Sequence, residues 1–249
     1  MNKIKVLHLY YDLMNLSGDS GNITAIKNAL EIQKVPYSID KLTIKDDIDF
    51  KKYDLVYIGH GSFENQELVR THLLKYKKDI LSYIEEGKFL IATGNSYELF
   101  GSKIGDKKCL GFIKFDTTKV TEIITDEEIQ NEERLVSEAV LKMKGFNYPV
   151  IGFYNHGYEN NNVNNYLFEV IKGFGNTSRL KVEGVHKYHF YGTYLLGPLL
   201  IRNPYFLDKI MKDLFSEKSI PYKHISTLSH LAYKEYLRNF KININVDEI

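Results

Sequence analysis

Residues 88–101 read KFLIATGNSYELFG, and this stretch decides the fold. Lys88–Ala92 is apolar over four consecutive residues, which predicts a strand buried on both faces, as in a parallel sheet. Thr93–Gly101 then predicts a sharp turn followed by the start of a helix. A strand, a tight turn and a helix start form the geometry of a nucleophile elbow, where one side chain and helix-terminal N–H groups face a site.

The same alternation of strands and helices extends towards the N-terminus. Lys3–Tyr10 and Asp54–Gly59 are predicted strands, and apolar residues recur at helical spacing from Ile23 onwards. A long helix is predicted over Gln66–Glu86, with Gly87 as its C-terminal cap. This β-α-β-α-β order predicts an α/β fold, a twisted and mostly parallel sheet with helices on both faces.

The second half of the chain changes character, because short strand patterns there precede a return to helices. We therefore expect one domain over residues 1–249, with a small antiparallel addition and with C-terminal helices at about 204–242. The elements predicted are strands at Val35–Ile39, Gly111–Thr125 and Val150–Tyr154, a hairpin at Lys181–Leu195, and helices at Tyr205–Phe215 and Ser226–Phe240.

Charge and composition exclude several classes of function. The chain has 33 basic and 32 acidic residues, a net charge of +1, which argues against binding to nucleic acid or to a membrane surface. No apolar run approaches the ~18 residues of a membrane span, and the first residues lead directly into a strand, so we expect a cytoplasmic protein. Cys109 is the single cysteine, which excludes an intramolecular disulfide and a cysteine-built zinc site. We expect neither a metal nor a cofactor.

Candidate binding residues lie in loops that follow the predicted strands. In an open parallel sheet, ligands collect at the C-terminal ends of the strands. Three loops qualify: residues 11–22, 59–66 and 93–101. The second loop offers Gly59, His60, Gly61 and Gln66, and the third offers Asn95 and Ser96 as candidate ligand-binding residues.

A series of short motifs, in order over most of the chain, resembles one known family. Each motif alone is weak, but the ordered set is specific. The chain resembles the GatD glutaminase subunits of lipid II isoglutaminyl synthase, within the cobyric-acid-synthase-like class I glutamine amidotransferases. The motifs are His8-Leu9-Tyr10, Gly18-Asp19, Gly21-Asn22, Ile58-Gly59, Gly61-Ser62, Gln66, Tyr97, Gly152-Phe153, Asn155-His156-Gly157, Gly175-Asn176, Glu183-Gly184, Gly192-Thr193-Tyr194-Leu195 and Gly197-Pro198.

The resemblance implies a function and also candidate residues. Active relatives release ammonia from glutamine and pass it to a Mur-ligase-like subunit, MurT, which amidates a glutamate of the peptidoglycan stem. It therefore implies a MurT-type protein partner for this chain and a small amide or amino acid as a possible ligand. Asn155 and His156 match a family motif and are candidate ligand-binding residues, although a structural turn is the commoner role for such a histidine.

Several family residues are replaced in this chain. The family elbow reads Cys-Gly-Gly-Tyr-Gln, and an ungapped match places Gly94 at the nucleophile position and Glu98 at the Gln. The family's catalytic histidine falls on Leu196, and His60 interrupts the glycines of the oxyanion loop. Family members hold the α-carboxylate of glutamine with an arginine, where this chain has Thr117–Asp126, with Glu122 and no arginine.

These replacements predict a loss of glutaminase chemistry. Hydrolysis by this route needs a nucleophile and an adjacent base, and the two act as a unit. Gly94 has no side chain and Leu196 cannot accept a proton, so we predict no catalytic residues and a non-catalytic partner or regulatory subunit. Glycine also relaxes the strained backbone of an elbow.

Other interpretations of single residues stay open. New enzyme or sensor chemistry in the same pocket could use His60, Ser96 and His156, with Ser96 as nucleophile. Cys109 as a relocated nucleophile is disfavoured, since lone cysteines are mostly buried hydrophobes. His186 and His189 are disfavoured as metal ligands, because residues three apart on a strand face opposite sides. Asp12, Asp19 and Asn22 could form a polar ligand loop, and capping of the next helix by Asp19, Ser20 or Asn22 explains them about as well.

Overall fold

A computed structural model describes residues 3–121, 123–124, 129–130 and 134–240. The strands are β1 Ile4–Leu9, β2 Tyr37–Leu42, β3 Leu55–Ile58, β4 Phe89–Thr93, β5 Lys103–Ile104, β6 Lys107–Lys108, β7 Asp116–Lys119, β8 Ile123–Ile124, β9 Ile129–Gln130, β10 Leu135–Lys142, β11 Val150–His156, β12 Tyr158–Asn161, β13 Phe168–Lys172, β14 Val182–Glu183, β15 Val185–Lys187 and β16 Phe190–Thr193. The α-helices are α1 Ser20–Ile32, α2 Phe63–Leu73, α3 Lys77–Glu85, α4 Leu199–Arg202, α5 Pro204–Glu217 and α6 Leu228–Arg238, and 3₁₀ turns cover Phe50–Lys52, Leu74–Tyr76 and Gly94–Phe100.

The main sheet has six strands in the order β15-β16-β4-β3-β1-β2. All neighbours pair in parallel except β15, which forms an antiparallel hairpin with β16. Leu9, Ile58, Ala92 and Gly192 lie in one row across the sheet, so the loops that follow β1, β3, β4 and β16 leave from one edge. This confirms the predicted α/β sheet with its crossover helices, and it brings the candidate loops together.

The central strands are buried because helices cover the sheet. Every residue of β3 and of β4 is buried. The continuous apolar runs of these two strands therefore reflect burial on both faces, as the sequence of Lys88–Ala92 predicted. Edge strand β2 has only intermediate and exposed residues, which explains its weaker signal and why its observed bounds are shifted from Val35–Ile39.

The long helix predicted over Gln66–Glu86 is wrong in its continuity. The segment forms two helices, α2 and α3, joined by the 3₁₀ turn Leu74–Tyr76. Helix α2 begins at Phe63, because the Ser62 hydroxyl accepts the Asn65 N–H and so caps the helix. A 3₁₀ turn alters the rotation per residue only briefly, so the apolar spacing continues across the break.

The end predicted for that helix is confirmed. Gly87 has φ +79°, and its N–H donates to the Ile84 carbonyl at 3.0 Å. The Lys88 N–H donates to the Tyr83 carbonyl at 3.2 Å. These two hydrogen bonds form a Schellman motif, which needs a residue in the left-handed region at this position and so favours glycine.

Smaller sheets, antiparallel except for the parallel pairing of β5 with β7, form the predicted addition. One has the order β11-β10-β13-β14 and another β12-β7-β5-β6. The strand predicted at Val150–Tyr154 is the start of β11, and the prediction for Gly111–Thr125 contains β7 and β8. The Lys181–Leu195 hairpin is present as β15 and β16, with β16 completing the main sheet.

The C-terminal helices α5 and α6 lie close to the predicted positions, and predicted residues 241–242 fall outside the described part of the chain. Across the described ranges, each helix is too short or too polar to cross a membrane.

Candidate functional site

The turn after β4 has the geometry of an elbow. The strand ends at Thr93, and Gly94 follows with φ +60° at the start of the 3₁₀ turn Gly94–Phe100. Side chains are strained in this left-handed region, so glycine fits it without cost. All seven residues of the turn are buried. The position matched to the family nucleophile therefore lies at the apex of a buried turn.

His60 fills the space that a side chain at this apex would need. A Cβ placed on Gly94 would lie 2.6 Å from the Cβ of His60 and would also overlap its Nδ1. The Asn95 N–H donates to His60 Nδ1 at 3.1 Å. Because Nδ1 is the acceptor, the neutral ring carries its hydrogen on Nε2. Burial lowers the pKa of His60, which favours this neutral form.

The Asn95 side chain holds the loop of residues 59–66 against the elbow. Its Oδ1 accepts the Gly61 N–H at 3.0 Å, and its Nδ2 donates to the Gly61 carbonyl at 2.9 Å. Gln66 Nε2 donates to the Asn95 carbonyl at 2.7 Å. An oxyanion hole requires N–H groups that are free to bind the substrate oxygen. Here the N–H groups of Asn95 and Gly61 are both occupied by side chains of the protein.

Ser96 points into the backbone of the sheet edge. Its hydroxyl lies 3.0 Å from the Ile58 carbonyl and 2.9 Å from the Thr93 carbonyl, and the residue is fully buried. The single hydroxyl hydrogen is shared between two carbonyl acceptors. The arrangement holds the turn against β3, and among the described residues the hydroxyl makes no hydrogen bond to the imidazole of His60.

Leu196 follows β16, the neighbour of β4 in the sheet. Its N–H donates to the Phe153 carbonyl at 3.1 Å, and the side chain is half-buried. A leucine side chain has no atom that can accept a proton, so the position matched to the family base contributes no acid–base group.

A cavity of about 170 Å³ lies beside the elbow. Four of the eight candidate ligand-binding residues line it: His60, Gly61, Asn95 and His156. Two more, Gln66 and Asn155, are hydrogen-bonded to the lining residues Glu98 and Arg134. Ser96 and Gly59 are not among its lining residues; Gly59 packs against Met14 and Asp19. The lining residues are Leu16, His60, Gly61, Ser62, Phe63, Glu64, Asn95, Glu98, Arg134, His156 and Gly157.

His156 is held by stacking and by one hydrogen bond. Its ring lies parallel to the Tyr194 ring, with centroids 3.7 Å apart. Its Nδ1 lies 2.7 Å from the Tyr158 carbonyl, so Nδ1 carries the hydrogen and donates it. Burial lowers the pKa of His156 to about 3. Among the described residues its buried Nε2, an acceptor in this tautomer, has no hydrogen-bond partner.

Glu98 is a buried carboxyl at the same cavity. Its Oε2 accepts a hydrogen bond from Gln66 Nε2 at 2.6 Å. Burial raises the pKa of Glu98 to about 7, because the charged form loses its hydration. Its buried Oε1 has no partner within the described part of the chain. Two residues that line the cavity, Glu98 and His156, thus each carry a buried polar atom without a hydrogen-bond partner among the described residues.

Arg134 also lines the cavity, although no sequence motif points to it. Its Nε donates to Asn155 Oδ1 at 2.6 Å and its Nη2 to the Asn155 carbonyl at 2.8 Å. The guanidinium lies 6.0 Å from the centre of the Phe63 ring. The scarcity of arginine is the one feature of the sequence that could have pointed to Arg134, since the chain contains five arginines. Of the segment Thr117–Asp126, Glu122 lies outside the described residues.

Asp19, in the loop after β1, stands at the N-cap position of α1, but its side chain belongs to a buried network. Asp19 is fully buried, and it accepts hydrogen bonds from the Tyr57 hydroxyl at 2.8 Å, the Thr93 hydroxyl at 3.1 Å and the Ser17 N–H at 3.0 Å. Its side chain makes no capping bond to α1, because it points into the sheet edge. Asn22 donates to the same Tyr57 hydroxyl at 2.7 Å. The loop after β1 thus holds the ends of β3 and β4 together through Tyr57 and Thr93, directly before the elbow.

Other residues considered as reactive lie elsewhere. Cys109 is 4% exposed, and burial raises the pKa of its thiol to about 12. His186 stacks on Tyr191. His189, in the turn between β15 and β16, stacks on Phe89. Asp12 accepts a hydrogen bond from the Thr43 hydroxyl at 2.7 Å and is exposed. None of these residues lines the cavity beside the elbow.

Comparison with known proteins extends this picture. The CobB/CobQ-like glutamine amidotransferase domain model matches residues 5–204. The chain is 28% identical over 244 residues to the GatD subunit of lipid II isoglutaminyl synthase (glutamine-hydrolyzing) from Staphylococcus aureus, covering 95% of this chain and 96% of the relative. The Streptococcus pneumoniae GatD subunit is 26% identical over 226 residues, or 87% and 82% of the two chains.

Solved structures agree on the fold. A glutamine amidotransferase from Thermotoga maritima superimposes with a TM-score of 0.51 at 11% identity, covering 97% of this chain and 93% of that one. Identity at this level supports the shared fold alone.

Proposed function

This chain belongs to the CobB/CobQ-like glutamine amidotransferase family, and from that premise we propose that it is a pseudo-glutaminase. It would serve as a non-catalytic partner or regulatory subunit of a Mur-ligase-like, MurT-type amidating enzyme in peptidoglycan metabolism. The GatD subunits that it resembles belong to lipid II isoglutaminyl synthases, which supports this setting.

The occupied apex is the observation that carries the proposal. The His60 ring stands where a nucleophilic side chain at Gly94 would be, and it accepts the Asn95 N–H at 3.1 Å. A glutaminase that had only lost its cysteine would keep an empty oxyanion hole. Here protein groups satisfy the donors, so the resting fold is stabilised at the expense of the transition state.

The missing base supports the same conclusion. Leu196 replaces the histidine that would activate a thiol, and Ser96 shares its hydroxyl hydrogen between two carbonyls. Nucleophile and base act as a unit, so the absence of both leaves no partial route through either. The partner would then take its nitrogen from free ammonia, with this chain stabilising the partner.

The direct test follows the source of the amide nitrogen. The chain is purified with its Mur-ligase-like partner and supplied with either amide-¹⁵N-glutamine or ¹⁵N-ammonium. Mass spectrometry of the amidated product should find the label only from ammonium. Label from glutamine, retained in Cys109→Ser and Ser96→Ala variants, would contradict the proposal, as would an absence of any such partner after gentle purification from the native cell.

A second candidate function is ligand sensing or altered chemistry in the cavity. The observation that favours it is a pair of buried polar atoms, His156 Nε2 and Glu98 Oε1, which have no hydrogen-bond partner among the described residues and belong to residues that line the cavity together with Arg134. Thermal shift with glutamine, glutamate and ammonium tests it. His156→Phe keeps the stack on Tyr194 but removes the acceptor, so a shift that this variant abolishes would favour a sensor.

A further inference from the structure

A second group of polar side chains lies in the C-terminal part of the chain. Asp208 is on α5, His224 is in the segment between the last two helices, and His230 is in the first turn of α6. His224 Nδ1 lies 2.6 Å and His230 Nε2 lies 3.2 Å from Asp208 Oδ2. One ligand atom from each residue lies within 4.8 Å of the others. We propose that these three residues bind a divalent transition-metal ion of the zinc type.

The donor set has the chemistry of a zinc site. Two imidazole nitrogens and one carboxylate oxygen are the ligands that zinc takes where a fourth position is left to water or another group. Two ligand atoms at about 2 Å from one ion are at most about 4 Å apart. The side chain of His224 is 53% exposed and lies outside regular structure, so it is free to make this small movement.

Neighbouring side chains already orient the ligands. The Tyr222 hydroxyl donates to Asp208 Oδ1 at 2.6 Å, which leaves Oδ2 for the ion. His230 Nδ1 lies 3.0 Å from the Thr227 hydroxyl and 3.1 Å from the Thr227 N–H. A metal-binding histidine commonly donates its other ring N–H to an oxygen, and the Thr227 hydroxyl lies within reach of His230 Nδ1 for that bond.

Metal binding requires one proton to move on each of the two imidazoles. Without an ion, His230 Nδ1 accepts the Thr227 N–H, and Nε2 donates its hydrogen to Asp208. With an ion on His230 Nε2, the hydrogen shifts to Nδ1, where the Thr227 hydroxyl oxygen accepts it and the Thr227 N–H gives up its bond to this nitrogen. On His224 the hydrogen shifts from Nδ1 to Nε2. The ion thus replaces the two imidazole N–H groups that now face Asp208 Oδ2.

The cluster is reachable from two cavities. One, of about 260 Å³, is lined by Asp208, Tyr222 and His230, and another, of about 500 Å³, by Asp208, Tyr222 and His224. A water molecule or small anion in either could complete the coordination. No residue of these cavities lines the one beside the elbow, so this site is separate from the proposed pseudo-glutaminase pocket.

An ion bound to all three residues would crosslink α5, α6 and the segment between them. Because the three ligands come together only in the folded chain, the ion should raise the melting temperature by linkage. This consequence gives the proposal a readout that is independent of any enzymatic activity.

The experiment uses the full chain without a histidine tag, stripped with EDTA and dialysed. Isothermal titration with Zn²⁺ should give one ion per chain, and Co²⁺ should give the visible absorption of a four-coordinate nitrogen and oxygen site. The melting temperature should rise with Zn²⁺. An absence of Zn²⁺ binding by the folded wild-type chain would overturn the proposal.

Two variants and one control locate the site. His224→Ala alters a half-exposed side chain, and Asp208→Asn keeps the shape of the carboxyl group; each should weaken Zn²⁺ binding more than tenfold and remove the rise in melting temperature. His189→Ala is the matched control, because His189 also approaches a carboxylate, that of Glu217 at 3.9 Å. Unchanged binding in both ligand variants, with circular dichroism confirming their folding, would refute the site.

Discussion

The imidazole of His60 and the α-carbon of Gly94 share one small volume at the end of the central strands. A Cβ on Gly94 would lie 2.6 Å from His60 Cβ, and the ring already accepts the neighbouring Asn95 N–H. The two residues are therefore coupled, since each is suited to the fold only in the presence of the other. A cysteine introduced at position 94 alone would meet this ring, so we expect the fold to accommodate a side chain there only when position 60 is changed as well.

We predict that Gly94→Ala and His60→Gly are not additive. Gly94→Ala alone should cost about 2–4 kcal/mol, from the left-handed backbone and from overlap with His60. In the His60→Gly background only the backbone strain remains, so the cost should fall by about 1–2 kcal/mol. Urea unfolding of the four proteins measures this difference.

Gly105→Ala is the control for backbone strain in that cycle. Gly105 has φ +54°, close to the +60° of Gly94, but a Cβ there would have no atom within 4 Å. Its cost should be the same in both backgrounds. A cycle at Gly94 that is additive to within about 0.5 kcal/mol would show that His60 does not occupy the apex.

The Glu98 carboxyl should make stability fall as the pH rises from about 4.5 to about 7. Its pKa in the folded chain is about 7, against an ordinary value of 4.5, because burial disfavours the charged form. In this interval the folded state holds a proton that the unfolded state has lost, so increasing pH favours unfolding. Glu98→Gln, the residue of the family elbow, should be more stable than wild type at pH 8 by up to about 3 kcal/mol.

The pH series needs its own reference points. At pH 4 the Glu98→Gln variant and the wild type should differ little, since Glu98 is protonated in both states there. Glu183, with a pKa raised by burial to about 8, leaves a residual slope in both proteins. Glu235→Gln, whose side chain is 72% exposed, is the control and should follow wild type. Parallel curves for Glu98→Gln and wild type would contradict the prediction.

Removing the Asp19 carboxylate should destabilise the fold strongly. Asp19→Ala leaves the Ser17 N–H without its acceptor and takes one acceptor from the hydroxyls of Tyr57 and Thr93, which should cost about 3 kcal/mol. Asp12→Ala, which removes an exposed carboxylate from the Thr43 hydroxyl, should cost less than about 1 kcal/mol. Equal urea midpoints for the two variants would argue that the buried network is unimportant.

The Cys109 thiol should react slowly in the native chain. It is 4% exposed and burial raises its pKa to about 12, so little thiolate forms near neutral pH. Labelling with Ellman's reagent at pH 8 should be slow without denaturant and rapid in urea. Rapid labelling of the native chain would reveal a reactive cysteine and reopen the possibility of a relocated nucleophile.

Local patterns predicted much of the fold because burial repeats along the chain. The apolar run before Thr93 and the left-handed glycine Gly87 are each specified by neighbours in sequence. The break between α2 and α3 had no such signal, since no proline or glycine lies in Leu74–Tyr76 and the apolar spacing continues. Asp19 had the sequence context of a helix cap, but its carboxylate satisfies groups on two other strands.

The candidate site also had one part that the sequence could predict and another that it could not. The sequence alone determined that position 94 lacks a side chain and that position 196 lacks a proton acceptor, because an absent atom needs no coordinates. Only the tertiary structure decided that His60 covers the apex and that Arg134 reaches the same cavity. Parallel strands bring together residues that lie tens of positions apart, and no local spacing encodes which of their side chains will meet.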